Sequence, residues 1–172
     1  MNELDEQAPS ITSEVEVSVF ENVDPGHIVY RASADDSADI SAGLSYALGS
    51  DSDTALSIDA ESGAVTLNHS PDFEAQSSYE FTVIVTDGVH SSTQAVTLVV
   101  NDVDEAAPII ADSEVVSITE NSGIDNIIYT AGADDSAEVT TGVTFSLAEG
   151  SDAGLSIDPE TGAVKLAHNP DF

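Results

Sequence analysis

The sequence predicts an all-β protein: one complete seven-stranded Greek-key β-sandwich and, end to end with it, a truncated second one. Three observations carry this reading. Apolar residues alternate with polar ones in short runs, as strands with one buried face require. No segment shows a helical period. The pattern also recurs: Glu21-Asn22 returns as Glu120-Asn121, and Pro71-Asp72-Phe73 as Pro170-Asp171-Phe172, each 99 residues downstream and without a gap. A period near 100 residues is too long for a solenoid unit and matches a whole sandwich domain.

Taken in order, Val15, Val17 and Val19 form the first alternating run, with Glu16 and Ser18 between them. Ile28, Tyr30 and Ala32 form the second, and Leu44, Tyr46 and Leu48 the third. Leu56 with Ile58 and Val65 with Leu67 flank the turn residues Glu61-Ser62-Gly63, so they read as a hairpin. Tyr79, Phe81, Val83 and Val85 make the longest run, and Val96, Leu98 and Val100 close the unit. The second copy has counterparts of the first five runs. A sandwich without its last two strands has an apolar face and an open edge. Such a unit is expected to be weak alone, or completed by a strand pair from another copy through β-addition. The expected division is residues 1–8 as a joint from a preceding repeat, 9–107 as the complete unit and 108–172 as the incomplete one.

The charge narrows the function. The chain carries 33 acidic residues against two basic ones, Arg31 and Lys165, for a formal net charge of −31. Nucleic acid is excluded as a partner because phosphate binding needs Lys and Arg. Insertion into a membrane is not expected, since no apolar run approaches the roughly 18 residues a spanning helix needs. Self-repulsion on this scale destabilises a compact state unless cations screen or bind it. The chain has no cysteine, so no disulfide stands in for a core. Met1-Asn2-Glu3-Leu4-Asp5 has neither a basic region nor an apolar stretch, so any targeting signal is expected elsewhere.

The acids cluster where strands end. Asn101-Asp102-Val103-Asp104-Glu105-Ala106-Ala107-Pro108 joins the two copies, and Asn2-Glu3-Leu4-Asp5-Glu6-Gln7-Ala8-Pro9 resembles it at the N-terminus. Neither reads as core strand, because the acids are dense and proline removes a donor. Calcium takes six to eight oxygen ligands, largely carboxylates and carbonyls. Glu21 follows the first strand, Asp72 and Glu74 precede the sixth, and Asp102, Asp104 and Glu105 follow the seventh. The next unit offers Asp134 and Asp135. Brought to one pole, these carboxylates would repel, and a divalent cation would remove that cost.

These motifs resemble a cadherin-type repeat, in the form common in large bacterial surface proteins. The resemblance rests on Glu21-Asn22 and Glu120-Asn121, on Asp72-Phe73-Glu74, on the joint Asp102 to Pro108, and on Asp87 in Val85-Thr86-Asp87-Gly88. It implies that Glu21, Asp72, Glu74 and Glu105 hold paired calcium ions beneath the joint, with Asp104 and Asp135 adding ligands. The same logic groups Asp5, Glu6, Asp35, Asp36 and Asp87 at an incomplete N-terminal joint. The chain departs from the family at Ala34-Asp35-Asp36 and Ala133-Asp134-Asp135, where Asp-x-Asp is expected, and at Ala106 in place of Asn. The resemblance implies a calcium-stiffened structural or adhesive module of an extracellular or cell-surface protein, suited to cell adhesion or biofilm. Its partners would be other repeats, another copy, or a cell-surface protein or polysaccharide.

Two alternatives remain open on sequence: a carbohydrate-binding module of an extracellular polysaccharide-degrading enzyme, and an inert acidic spacer. Catalysis is not expected. A carboxylate pair for glycoside hydrolysis needs a cleft, yet Trp is absent and most Tyr and Phe fall at core parity. Zinc lacks ligands, with no Cys and no close His pair. His69 and His168 hold equivalent places in the repeat, which points to a structural role.

Overall fold

The computed structural model describes residues 6–37, 43–111, 115–121, 123–124, 126–136, 139–140 and 142–169. The chain forms two compact units, 1–103 and 104–172. Among the described residues every regular element is a strand.

The first unit contains β1 (Ser10–Ile11), β2 (Glu16–Phe20), β3 (Ile28–Arg31), β4 (Ala34–Asp35), β5 (Ser45–Leu48), β6 (Leu56–Ile58), β7 (Ala64–Leu67), β8 (Ser78–Thr86) and β9 (Ser91–Asn101). One sheet runs β2-β9-β8-β5 and the other β3-β7-β6, with β1 and β4 as a separate short pair. The pair β1–β4 was not visible in the alternation, since two residues carry no period. The edge strand β2 lies parallel to β9, with Val17 opposite Leu98 and Val19 opposite Val100. Its neighbours β9 and β8 are antiparallel, as are β8 and β5. A parallel pair cannot come from a hairpin, so the chain crosses between sheets before β9 returns beside β2. That return is the Greek-key feature of the fold.

Alternation puts Tyr79, Phe81, Val83 and Val85 of β8 and Val96, Leu98 and Val100 of β9 inside, against Tyr30, Leu56, Val65 and Leu67 of the facing sheet. Tyr30 and Phe81 meet edge-on, with ring centroids 5.4 Å apart and planes at 74°. This is a preferred aromatic geometry. The Tyr30 hydroxyl donates to the Glu14 carbonyl at 2.9 Å, which satisfies its one polar atom. Tyr79 is likewise buried, and its hydroxyl lies 3.2 Å from His69 Nε2. The equivalence of His69 and His168 therefore has a structural reading in the first unit.

The second unit contains β10 (Ile109–Ile110), β11 (Ile127–Thr130), β12 (Ala133–Asp134), β13 (Leu155–Ile157) and β14 (Ala163–Leu166). Its three-stranded sheet runs β11-β14-β13, and β10 pairs with β12. These repeat β3-β7-β6 and β1-β4, down to the register shift within β11 that matches the one in β3. The counterparts of β2 and β5 do not form strands: residues 115–119 and 144–147 have no regular structure. Five runs were expected there and three appear. In the first unit β2 and β5 are held by β9 and β8, and a strand without a ladder partner leaves its backbone groups to water.

The turn of the β6–β7 hairpin shows how sequence sets local structure. Asp59 Oδ1 accepts from the Ser62 amide at 2.8 Å and from the Ser62 hydroxyl at 2.7 Å. Gly63 follows at φ +66°, where an added Cβ would sit 2.6 Å from the Ala32 carbonyl oxygen. Asp158, Thr161 and Gly162 repeat this arrangement in the second unit, with Gly162 at φ +69°. Only glycine meets both demands, positive φ and close backbone approach.

Candidate metal centre

Glu21 follows the last residue of β2 and is 4% exposed. Its own amide donates to the Asn101 carbonyl at 3.1 Å, continuing the β2–β9 ladder by one step. Asn22 then takes a left-handed φ of +62°, and its amide donates to the Pro71 carbonyl at 3.0 Å. Asn tolerates this conformation better than most residues. The turn at Asn22 is thus the physical content of the Glu-Asn pair. The Glu21 carboxylate accepts from the Val103 amide at 2.7 Å through Oε1 and from the Phe73 amide at 2.8 Å through Oε2. One side chain therefore ties together the end of β2, the connection before β8 and the end of β9.

Asp72 and Glu74 flank Phe73, which packs against the core. The Asp72 carboxylate caps a turn by accepting from the Ala75 amide at 3.0 Å, and the Asp72 carbonyl accepts from the Gln76 amide at 2.9 Å. With Phe73 directed inward, its two neighbours face out. One carboxylate oxygen from each of Glu21, Asp72 and Glu74 lies within 4.8 Å of the other two. Among the described residues this is the one group of three or more potential metal ligands so gathered. At that spacing each pair of charges repels by about 3 kcal/mol at an effective dielectric constant of about 20, and by less where Asp72 and Glu74 face water. Asp102 Oδ1 is sealed from solvent and has no hydrogen-bond donor. An all-oxygen set of carboxylates, one locked by backbone amides, suits a hard divalent cation.

The other candidates fall into separate places. Asp104 and Glu105 open the second unit. In that unit Asp134 stands on β12 opposite Ile109. Its Oδ1 accepts from the Ser136 hydroxyl at 2.6 Å and from the Ser136 amide at 3.0 Å, and these bonds hold its carboxyl below the usual range. The Asp135 carboxylate accepts from the Thr140 hydroxyl. Asp134, Asp135, Ser136, Ala106, Ala107 and Ile109 enclose a hollow of about 120 Å³ within the second unit. Ala106, where the family motif has Asn, is part of its lining.

Of the N-terminal set, Asp5 lies outside the described residues and Glu6 is exposed. Asp35 accepts from the Ser37 amide at 3.0 Å, and Asp36 Oδ2 is buried without a partner. Asp87 is buried in the β8–β9 turn. Its Oδ1 accepts from the Val89 and His90 amides, both at 2.7 Å. The His90 amide, more than any other group, holds the Asp87 carboxyl below its ordinary value. Asp87 Oδ2 has no hydrogen-bond partner and lies 3.9 Å from His90 Nδ1. Sequence reading missed the amides of Phe73 and Val103, because a backbone donor leaves no mark in the residue types.

The Cadherin domain profile matches residues 15–101, spanning β2 to β9. The chain belongs to the cadherin family. Two cadherin relatives illustrate the distance. Protocadherin Fat 2 of Mus musculus is 31% identical over 152 residues, which is 86% of this chain and 4% of that protein. Protein dachsous of Drosophila melanogaster is 25% identical over 181 residues, 95% of this chain and 5% of that protein. The chain thus spans about a twentieth of the length of such relatives. Among solved structures, mouse cadherin-23 EC22-24 superposes with a TM-score of 0.73 at 21% identity, covering 96% of this chain and 56% of that one. Protocadherin gammaB7 EC3-6 superposes at 0.76 and 20% identity, covering 98% and 46%. These likenesses show the fold. Cadherin repeats are extracellular adhesion modules of cell-surface proteins rather than enzymes, and the family generally binds calcium at repeat junctions.

Proposed function

We propose that this chain is a calcium-binding structural or adhesive module, and that calcium stiffens the joint between its repeats. The observation that carries the reading is the convergence of Glu21, Asp72 and Glu74, with Glu21 held by two backbone amides. In this reading Asp102, Asp104, Glu105, Asp134 and Asp135 complete the joint. Asp5, Glu6, Asp35, Asp36 and Asp87 form its counterpart at the N-terminal end. Calcium would supply charge neutralisation and nothing else. The acid excess of 33 to 2 supports a parent protein exposed to abundant cations, and the resemblance stated from the sequence is to repeats of large bacterial surface or secreted proteins. Other repeats of the same array are its nearest partners.

A carbohydrate-binding role finds little support. Tyr30, Tyr79 and Phe81 are committed to the core, which leaves Phe20 as the exposed aromatic among the described residues, too little for a stacking platform.

Ion binding confined to the folded state raises its stability by mass action, by about 2.7 kcal/mol at a hundredfold excess over Kd. Millimolar calcium should therefore raise the Tm by several degrees, and chelation should reverse the shift. Asp72→Asn with Glu74→Gln, both exposed positions, should abolish the calcium-dependent shift and, by relieving the repulsion with Glu21, raise the metal-free Tm. A wild-type melting curve indifferent to chelator would leave the acidic-spacer reading instead.

A further inference from the structure

The chain contains two Asp-Pro bonds, Asp24-Pro25 and Asp158-Pro159. Such a bond is open to acid for two reasons. The proline nitrogen belongs to a tertiary amide and departs as a secondary amine. The aspartate also carries a carboxylate that closes a five-membered ring on its own carbonyl carbon, so the attack is intramolecular.

Asp24, Pro25, Gly26 and His27 are all exposed and link β2 to β3. Proline second and Gly26 third, at φ +83°, are the marks of a type II turn. The turn is fixed at two points. The Gly26 amide donates to the Leu67 carbonyl at 2.8 Å, and the His27 amide to the Asp24 carbonyl at 3.1 Å. The carbonyl that accepts from His27 is that of the Asp-Pro bond itself. A donor on that oxygen stabilises the negative charge it gains when its carbon is attacked. No described group donates to the Asp24 carboxylate. The titratable groups of the neighbouring elements are engaged elsewhere: Glu21 with the Phe73 and Val103 amides, Asp72 with the Ala75 amide, His69 with Asn68 and Tyr79. That leaves Asp24 and His27 on the turn itself.

Asp158-Pro159 differs at one point. Its carbonyl also accepts an amide, from Gly162 at 2.9 Å. Its carboxylate, however, is bound: Asp158 Oδ1 accepts from the Thr161 amide, the Thr161 hydroxyl and the Glu160 amide. These bonds hold the carboxyl below its ordinary pKa, which makes it a weaker nucleophile, and they restrict its rotation.

From this contrast we propose that Asp24-Pro25 is a self-cleaving bond: in mild acid the Asp24 carboxylate attacks its own carbonyl carbon and severs the chain between β2 and β3. A carboxylate oxygen forms the new C–O bond, the C–N bond to Pro25 breaks, and the proline nitrogen takes a proton from solvent. Asp24 is left as a cyclic anhydride, which one water opens to two carboxyl groups. The sum is hydrolysis, with no change of oxidation state. The cut leaves the module assembled, because β2 keeps its ladder to β9, Glu21 its two amides, and the Ser92 hydroxyl its bond to the Pro9 carbonyl at 2.6 Å. Acid thus turns a continuous chain into a joint that can be pulled apart. The second unit has Gly123-Ile124 at the equivalent place, so the bond is particular to the first.

The test is mass spectrometry of the 172-residue chain held in EDTA at about pH 4.5, above the range where the depressed carboxyls of the turns protonate. The expected products are residues 1–24 and 25–172, which stay together in native size-exclusion chromatography and part in urea. They should form at least about tenfold faster than at about pH 7.5, and at least about tenfold faster than the products of Asp158-Pro159. Asp24→Asn and Pro25→Ala should each slow the scission by at least about tenfold while circular dichroism stays unchanged. Thr161→Ala should raise scission at Asp158-Pro159 and leave Asp24-Pro25 as it was. In urea the two bonds should break at similar rates, both slower than Asp24-Pro25 in the folded chain. Equal scission of the two bonds in the folded chain overturns the proposal. So does scission indifferent to Asp24→Asn, or a rate that rises with protein concentration, the mark of a second molecule. Because it is made without calcium, this test fails or succeeds independently of the metal reading.

Discussion

Leu67 and Leu166 hold the same place in the repeat, in β7 and β14, and each faces the equivalent leucine, Leu56 or Leu155. Leu67 is 1% exposed, while Leu166 is only half-buried. Leu56 and Leu155 differ in the same sense, as do Tyr30 and Tyr129. Ile11 packs against the first core, whereas Ile110 is 71% exposed. The hairpins and turns are nevertheless the same in both units. What differs is the second layer: in the first unit β8 and β9 lie over β3-β7-β6 and hold β2 and β5 in place. The comparison separates structure that a segment makes for itself from structure that it receives across the sandwich.

The largest expected effect sharpens this contrast. Leu67→Ala should cost about 3 kcal/mol, as for a large-to-small change in a closed core. Leu166→Ala should cost about 1 kcal/mol, because a half-buried methyl group loses less transfer energy and leaves no sealed cavity. Chemical denaturation followed by amide exchange in each unit measures both. Equal costs would break the comparison and mean that the second unit is closed by something else.

The next effect concerns the equivalent pair Glu21 and Glu120, one buried and one exposed. Glu21→Gln turns an amide NH₂ toward one of two backbone donors, and losing an acceptor there costs about 1–3 kcal/mol. Glu120→Gln should change stability by less than about 0.5 kcal/mol, as usual at an exposed position. Thermal unfolding in EDTA reads this structural part alone, and the calcium-dependent shift reads the metal part separately.

The smallest effect should be the same in both units. Asp59 is held below its ordinary pKa chiefly by the Ser62 hydroxyl, and Asp158 chiefly by the Thr161 amide. For a carboxyl whose folded pKa is depressed, the stabilisation is present above the unfolded pKa and is lost as pH falls through the folded one. Both turns should therefore weaken as pH falls below about 4. NMR titration should show the two carboxyls shifting alike. A clear divergence would mean that these turns are not local devices.

Much of the fold was legible in the sequence because its causes are local. Alternation picked out Tyr79, Phe81, Val83 and Val85 and placed them inside. Asp59-Ala60-Glu61-Ser62-Gly63 carries its own turn, and Asp158 to Gly162 repeats it. The candidate ligands Glu21, Asp72 and Glu74 were legible as acids at strand ends. Their gathering at one pole was expected from the strand order and the family resemblance, and the fold brings one oxygen of each within 4.8 Å of the others. The backbone amides that lock Glu21 were not legible. Parallel pairing of β2 with β9 was equally hidden, because a period of two says which face is buried and nothing about the neighbour.

The sequence by itself determined the strand faces, the turns and the 99-residue repeat, because each depends on residues within a few positions or on direct identity. Tertiary structure alone decided which runs become strands. Residues 16–20 are a strand and residues 115–119 are not, although both alternate. The physical reason is the hydrogen-bond ladder: an edge strand exists only where a distant segment such as β9 accepts and donates along its length. Tertiary structure likewise turned Glu21 from one surface acid among many into a buried brace between the amides of Phe73 and Val103.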